Sequence, residues 1–224
     1  MFLGHYGVAF AVKRAEPKVS LGTLFLAVQL VDLLWGVCLL TGWEHVRIDP
    51  GAGPLLSLQF VDYPITHSLV GGLAWALVAT GLYYSWPTRD TSRHWQASAI
   101  VGAAVFSHYW LDVIVHVPDL TIAGAGTPAL GLGLWRSLPA TLAIELLFLA
   151  AGIAMYVVKR SRKHPVRSGR LAGLVVVLVA LYLASLFGPP PPSVRAIAVA
   201  DIAGLLLLAA FAGWVDRPAA TAHP

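Results

Sequence analysis

Residues 103–118 read AAVFSHYWLDVIVHVP, an apolar stretch in which three ionisable side chains, His108, Asp112 and His116, stand four apart. On an α-helix each step of four turns the side chain by only about 40°, so the three project from one face. Two imidazoles and a carboxylate make a transition-metal ligand set. The surrounding residues place that set inside a bilayer, where each Asp costs roughly 2.5–3.5 kcal/mol to insert. An acid in such a place is paired, bound to an ion or engaged in chemistry.

The rest of the chain supports a membrane reading. Of its 224 residues 58% are hydrophobic and 12% charged, with a mean hydropathy of +0.74; a soluble domain carries about twice that charged fraction. The apolar residues come in long blocks without the alternation of an amphipathic strand or helix. Six blocks, at about 19–41, 65–86, 97–117, 138–158, 170–188 and 195–215, each suffice to cross a hydrocarbon core of ~30 Å. The expected fold is therefore an all-α, polytopic membrane bundle of about six transmembrane helices, forming one integral membrane domain over 1–224. The opening MFLGHYGVAFAVKR lacks a basic region before its apolar core and a small-residue cleavage site, so it reads as a short half-helix tucked into the bundle rather than a signal peptide.

Basic residues set the expected orientation. Lys13, Arg14, Lys18, Arg89, Arg93, Lys159, Arg160, Arg162, Lys163, Arg167, Arg170 and Arg217 fall on one side of such a bundle, against Arg47, Arg136 and Arg195 on the other. That asymmetry predicts both termini on the cytoplasmic side of a cell membrane, inner or plasma, crossed several times. The net charge of +4 comes from these loops, and nucleic acid is not an expected partner. The run KRSRKHPVR suits anionic lipid headgroups. Cys38 is alone, which excludes an intrachain disulfide and a thiolate-based zinc site.

Polar residues are distributed unevenly. The first four blocks hold Asp32, His67, His108, Asp112, His116 and Glu145 and not one Lys or Arg, whereas the last two hold a single acid, Asp201. Residues 1–158 thus read as the site-bearing part and 170–215 as a supporting helix pair. A rise of 1.5 Å per residue puts His5, Asp32, His67, His108, Asp112 and Glu145 at roughly 12–27 Å above the inner surface, mostly in the outer half. Three acids among them amount to about 7–10 kcal/mol of insertion cost. Only protons, water or a bound cation can offset it, and neutral imidazoles favour a cation. The structural alternatives are an i,i+4 His108–Asp112 pair that tightens the bundle, and His67 as a helix-start residue beside Asp62 or Thr66.

The order of these elements resembles the YdjM-like family of predicted membrane-bound metal-dependent hydrolases. That family's Gly-His, its Asp-x-Asp after the first span, its His-Arg-Gly-x-Thr-His-Ser and its Ser-His-x-x-x-Asp correspond here to Gly4-His5, Asp32, the stretch from Asp62 to Ser68, and the stretch from Ser107 to Asp112. Leu34 stands where the family has its second Asp, and Asp62 where it has the leading His. The resemblance covers about 1–120 and implies a divalent ion, zinc by its donor set, held by His5, Asp32, His67, His108 and Asp112. It implies hydrolysis of an ester or phosphoester, with a membrane lipid or lipid-linked compound at the outer leaflet as the expected substrate. Glu145, Asp62 and His116 are the candidates for general base. A competing expectation is a transporter or channel passing protons or a cation along the same residues, and a third is a scaffold whose polar groups only lock helices together.

Overall fold

The computed structural model describes residues 1–87, 94–158 and 168–217. Its elements run α1 (Leu3–Ala15), α2 (Leu21–Val28), α3 (Leu30–Thr41), β1 (His45–Ile48), β2 (Leu58–Asp62), α4 (Pro64–His67), α5 (Leu69–Ser85), α6 (His94–Val115), β3 (Leu120–Thr121), β4 (Ala129–Leu130), α7 (Leu138–Val158), α8 (Ser168–Phe187) and α9 (Val194–Asp216). The two small antiparallel hairpins, β1–β2 and β3–β4, lie in the loops that join helices. The basic run at 159–167, with Arg89 and Arg93, lies outside the described residues.

The chain is an all-helical membrane bundle, but six straight spans are not what it builds. Four helices, α6 to α9, are long and apolar enough to cross a membrane, and α2 with α3 makes a fifth only as one span bent by 53°. The expected second span divides into the single turn α4 and the 17-residue α5. Ser68 causes the division: its backbone is extended, its hydroxyl donates to the Pro64 carbonyl (2.6 Å) and accepts from the Gly71 N–H (2.9 Å), so it ends one helix and caps the next. The bend in the first span has a cause of the kind that inserts a side chain into the helical ladder. The Val28 carbonyl, which in a continuous helix would serve the Asp32 N–H, instead accepts from Nδ1 of His108 at 2.8 Å. Gln29 turns at the break, and the ladder resumes with Leu33 N–H on the Gln29 carbonyl.

Burial separates the centre from the lipid face. In α6, 56% of the apolar window lies inside the protein, against 28% in each of α7, α8 and α9. Large apolar side chains on the periphery, Leu77, Leu147, Val176 and Leu207 among them, are 60–70% exposed, as a lipid-facing surface requires. The expected N-terminal half-helix is α1, which packs most closely on α7. Their contact is set by glycine: a Cβ on Gly152 would collide with the Gly7 carbonyl, and one on Gly7 with the Phe148 carbonyl. At one face of the bundle Lys13 bridges to Asp216 at 2.8 Å, which brings the end of α1 to the end of α9. Both hairpins lie at the opposite face.

Candidate metal centre

Four elements deliver the cluster. The i,i+4 register of α6 sets His108 and Asp112 on its buried face, and His116 follows one turn later, its N–H still on the Asp112 carbonyl. The bend before α3 aims Asp32 at the same point, α4 supplies His67, and α1 supplies His5. His5, His67, His108, Asp112 and His116 are all at most 5% exposed. His5, Asp32 and His108 form one group able to hold an ion, and His67, His108 and Asp112 another. The sequence candidates His5, Asp32, His67, His108 and Asp112 are therefore brought together, from four helices up to 107 residues apart.

The distances suit a shared ion. His108 Nε2 lies 3.0 Å from Asp112 Oδ2 and 3.5 Å from Asp32 Oδ1, while His67 Nε2 lies 3.2 Å from Asp32 Oδ1 and 3.9 Å from Asp112 Oδ2. Ligand atoms about 2.1 Å from a tetrahedral or octahedral metal stand about 3.0–3.4 Å from one another. Asp112 faces both ways: its Oδ1 meets His5 Nε2 at 3.2 Å and the Met1 amino group, while its Oδ2 faces His67, His108 and His116. The His5 and His108 rings stack, centroids 4.0 Å apart and nearly parallel.

Hydrogen bonds on the far side of each ring fix its tautomer. His108 can only donate from Nδ1 to the Val28 carbonyl. The Thr66 hydroxyl gives its one proton to Glu44 Oε2 at 2.6 Å, so toward His67 Nδ1, 2.7 Å away, it can only accept. Asp119 Oδ1 likewise accepts from His116 Nδ1 at 3.0 Å. Each of the three neutral rings then turns the lone pair of Nε2 toward carboxylate oxygens. Acceptors facing acceptors in a buried place need a cation between them.

Other candidates are placed differently. Glu145 is 1% exposed, and its two oxygens accept from the N–H groups of Phe2 and Gly4, both at 2.8 Å, capping the start of α1. It holds the helix that carries His5 and lines the cavity, which is an orienting position. Asp62 is exposed at the end of β2, paired with His45, and does not join the cluster. Glu44 and Asp119 were not legible as members. Glu44 precedes β1 and, although 1% exposed, accepts from both the Thr66 N–H (2.9 Å) and its hydroxyl. Asp119 stands three residues after His116, a spacing that was visible. A cavity of about 220 Å³ opens over the cluster. Asp32, His67, Asp112, His116 and Glu145 form its floor, and Trp35, Leu58, Phe60, Trp135, Tyr182 and Leu186 are among its walls. Tyr63 packs on the rings of His67 and His116; burial, then the nearby Asp119, pushes its phenol above the usual value, so it stays protonated.

Comparison of the chain with family models, curated proteins and solved structures gave no match.

Proposed function

We propose that the protein is a membrane-embedded, metal-dependent hydrolase, as the resemblance to the YdjM-like family implies. The observation that carries this reading is the set of three imidazoles, each pinned through Nδ1 so that Nε2 faces a carboxylate. Asp32, His67, His108 and Asp112 hold the ion, and His5 serves the other oxygen of Asp112. Nitrogen and oxygen donors without thiolate suit zinc. Such an ion acidifies a coordinated water toward pKa ~7 and polarises an ester or phosphoester. Two carboxylates offset its charge, which makes the buried cluster neutral.

His116, held by Asp119, sits beside the cavity and is the proton acceptor of this reading. Its ring packs on Trp135 with centroids 4.1 Å apart, which leaves Nε2 as its working atom. The walls of the cavity are apolar and aromatic, so the substrate is a lipid or lipid-linked ester or phosphoester, reached from the outer leaflet between the β1–β2 loop and the end of α8. That placement rests on both termini being cytoplasmic. In a Cys38→Ala background, a membrane-impermeant thiol reagent added outside should label Ala52→Cys and miss Ala15→Cys. The reverse pattern would move the site to the inner leaflet.

The decisive test is elemental analysis of detergent-purified protein beside His108→Ala. Stoichiometric divalent metal in the first and its loss in the second are expected; metal-free protein that folds normally sinks the reading. Protons compete with the ion for imidazole and carboxylate, so affinity should fall as pH drops below ~6.5. A profile flat from about pH 5 to 8 speaks against histidine ligands. One observation favours a transporter instead, the 53° break between α2 and α3 beside the cluster. Metal or proton flux in proteoliposomes, without hydrolysis of any lipid ester, would select that reading.

A further inference from the structure

A second polar group in the bundle takes no part in the chemistry above. Gln29, at the break between α2 and α3, is 2% exposed, and neither its Oε1 nor its Nε2 has a hydrogen-bond partner. Tyr6 of α1 is 1% exposed, with an unpartnered hydroxyl that lies beside the Gln29 amide. Asp201 of α9 buries an Oδ2 that has no partner either. These residues meet at one seam. Along it Gly22 of α2 faces Ala209 and Gly213, and Gly36 of α3 faces Ala198 and Ile202, so α9 runs antiparallel past the break. Gln29 lies midway along that seam. Asp201 acts electrostatically on Asp32 and His108, and on Tyr6.

Unpartnered polar atoms in such a place cost free energy, and a buried carboxylate without a counter-charge costs most. The divalent ion of the proposed function is already matched by Asp32 and Asp112, so Asp201 carries one negative charge too many. The buried Lys13 is engaged elsewhere, with Asp216 at 2.8 Å. The free acceptors at the seam are a carboxylate, an amide oxygen and a phenol oxygen, with no imidazole or sulfur. Oxygen-only donors suit a hard cation, and a single surplus charge suits a monovalent one. Broken membrane helices are also where sodium is held in other membrane proteins.

We infer that Gln29 Oε1, Tyr6 Oη and Asp201 Oδ2 form a second cation site, for sodium, next to Asp32 and separate from the divalent centre. The charge count leans on the metal reading of the proposed function; the orphaned oxygens do not. The site would tie α1, the α2–α3 break and α9 together, and so hold Asp32 in place.

The test uses the full chain in detergent, exchanged into choline chloride and titrated with NaCl at constant ionic strength. Thermal unfolding, retention of radioactive sodium and divalent content are measured on the same samples. Wild type should bind one sodium ion, and its Tm should rise by about 5–10 °C at a hundredfold excess over Kd. Asp201→Asn and Gln29→Leu should bind none and show no rise. If Gln29→Leu does not fold, Asp201→Asn and the wild-type binding measurement still decide. Divalent metal without a sodium response overturns this inference alone, and means that water fills the seam. A sodium response without divalent metal overturns the proposed function alone. Full sodium binding in Asp201→Asn overturns the assignment of the ligands.

Discussion

Asp32→Ala, His67→Ala, His108→Ala and Asp112→Ala should each abolish retention of the divalent ion, and the double variant His108→Ala/Asp112→Ala should be scarcely worse than either single one. Residues that share one ion act as a unit, because removing any ligand opens the coordination and leaves the other charges uncompensated. Asp112 should be the most sensitive, since it alone meets His5 on one oxygen and His67, His108 and His116 on the other. The loss should exceed about 100-fold in affinity, beyond what removal of an outer hydrogen-bond partner costs. Asp201→Asn should keep the divalent ion while losing the sodium response. If the polar cluster only locks helices together, the outcome is the reverse: separate losses of stability that add, with no bound metal to lose. Full metal content in the four single variants would end the metal reading.

The ligand set was legible because its signal is local or costly. The i,i+4 spacing of His108 and Asp112 needs nothing but helix geometry, and Asp32 and His67 stand out as polar residues in apolar blocks. Helix type was legible for the same reason, since a long apolar block has only one way to satisfy its backbone in lipid. What the sequence hid depends on contacts across the fold. The bend at Gln29 follows from the His108 ring taking the Val28 carbonyl, 80 residues away. Ser68 reads as one more small residue in an apolar run, and only its bonds to Pro64 and Gly71 show that it splits a span. Glu145 was read as a catalytic candidate on burial and depth; its bonds to the N–H groups of Phe2 and Gly4 make it the cap of α1. Asp201 was assigned to a supporting helix pair because it stood alone in its block, yet α9 carries it to the rear of the site.

Glu44 was the deepest of these omissions, and its variant should have the second large effect. Glu44 lies in the stretch before β1, where an acid beside Trp43 and His45 reads as a solvated loop residue. In the fold it is 1% exposed and accepts from both polar groups of Thr66, at 2.9 and 2.6 Å. Because a carboxylate cannot donate, the Thr66 hydroxyl must give its proton to Glu44 and accept from His67 Nδ1. The chain Glu44–Thr66–His67 thereby keeps Nε2 of His67 unprotonated for the ion. Glu44→Gln puts an amide donor in reach of Thr66 and lets the hydroxyl reverse, which protonates His67 at Nε2. Metal affinity in a chelator competition should fall by about 10–100-fold. Nitrogen NMR of the imidazole should show the exchanged tautomer. Thr66→Val removes the link itself, so the pair Glu44→Gln/Thr66→Val should bind metal no worse than Thr66→Val alone. A purely structural role for Glu44 predicts something different, a lower Tm with affinity and tautomer unchanged. That result would leave His67 oriented by α4 alone and remove one of the three pinned imidazoles on which the metal reading rests.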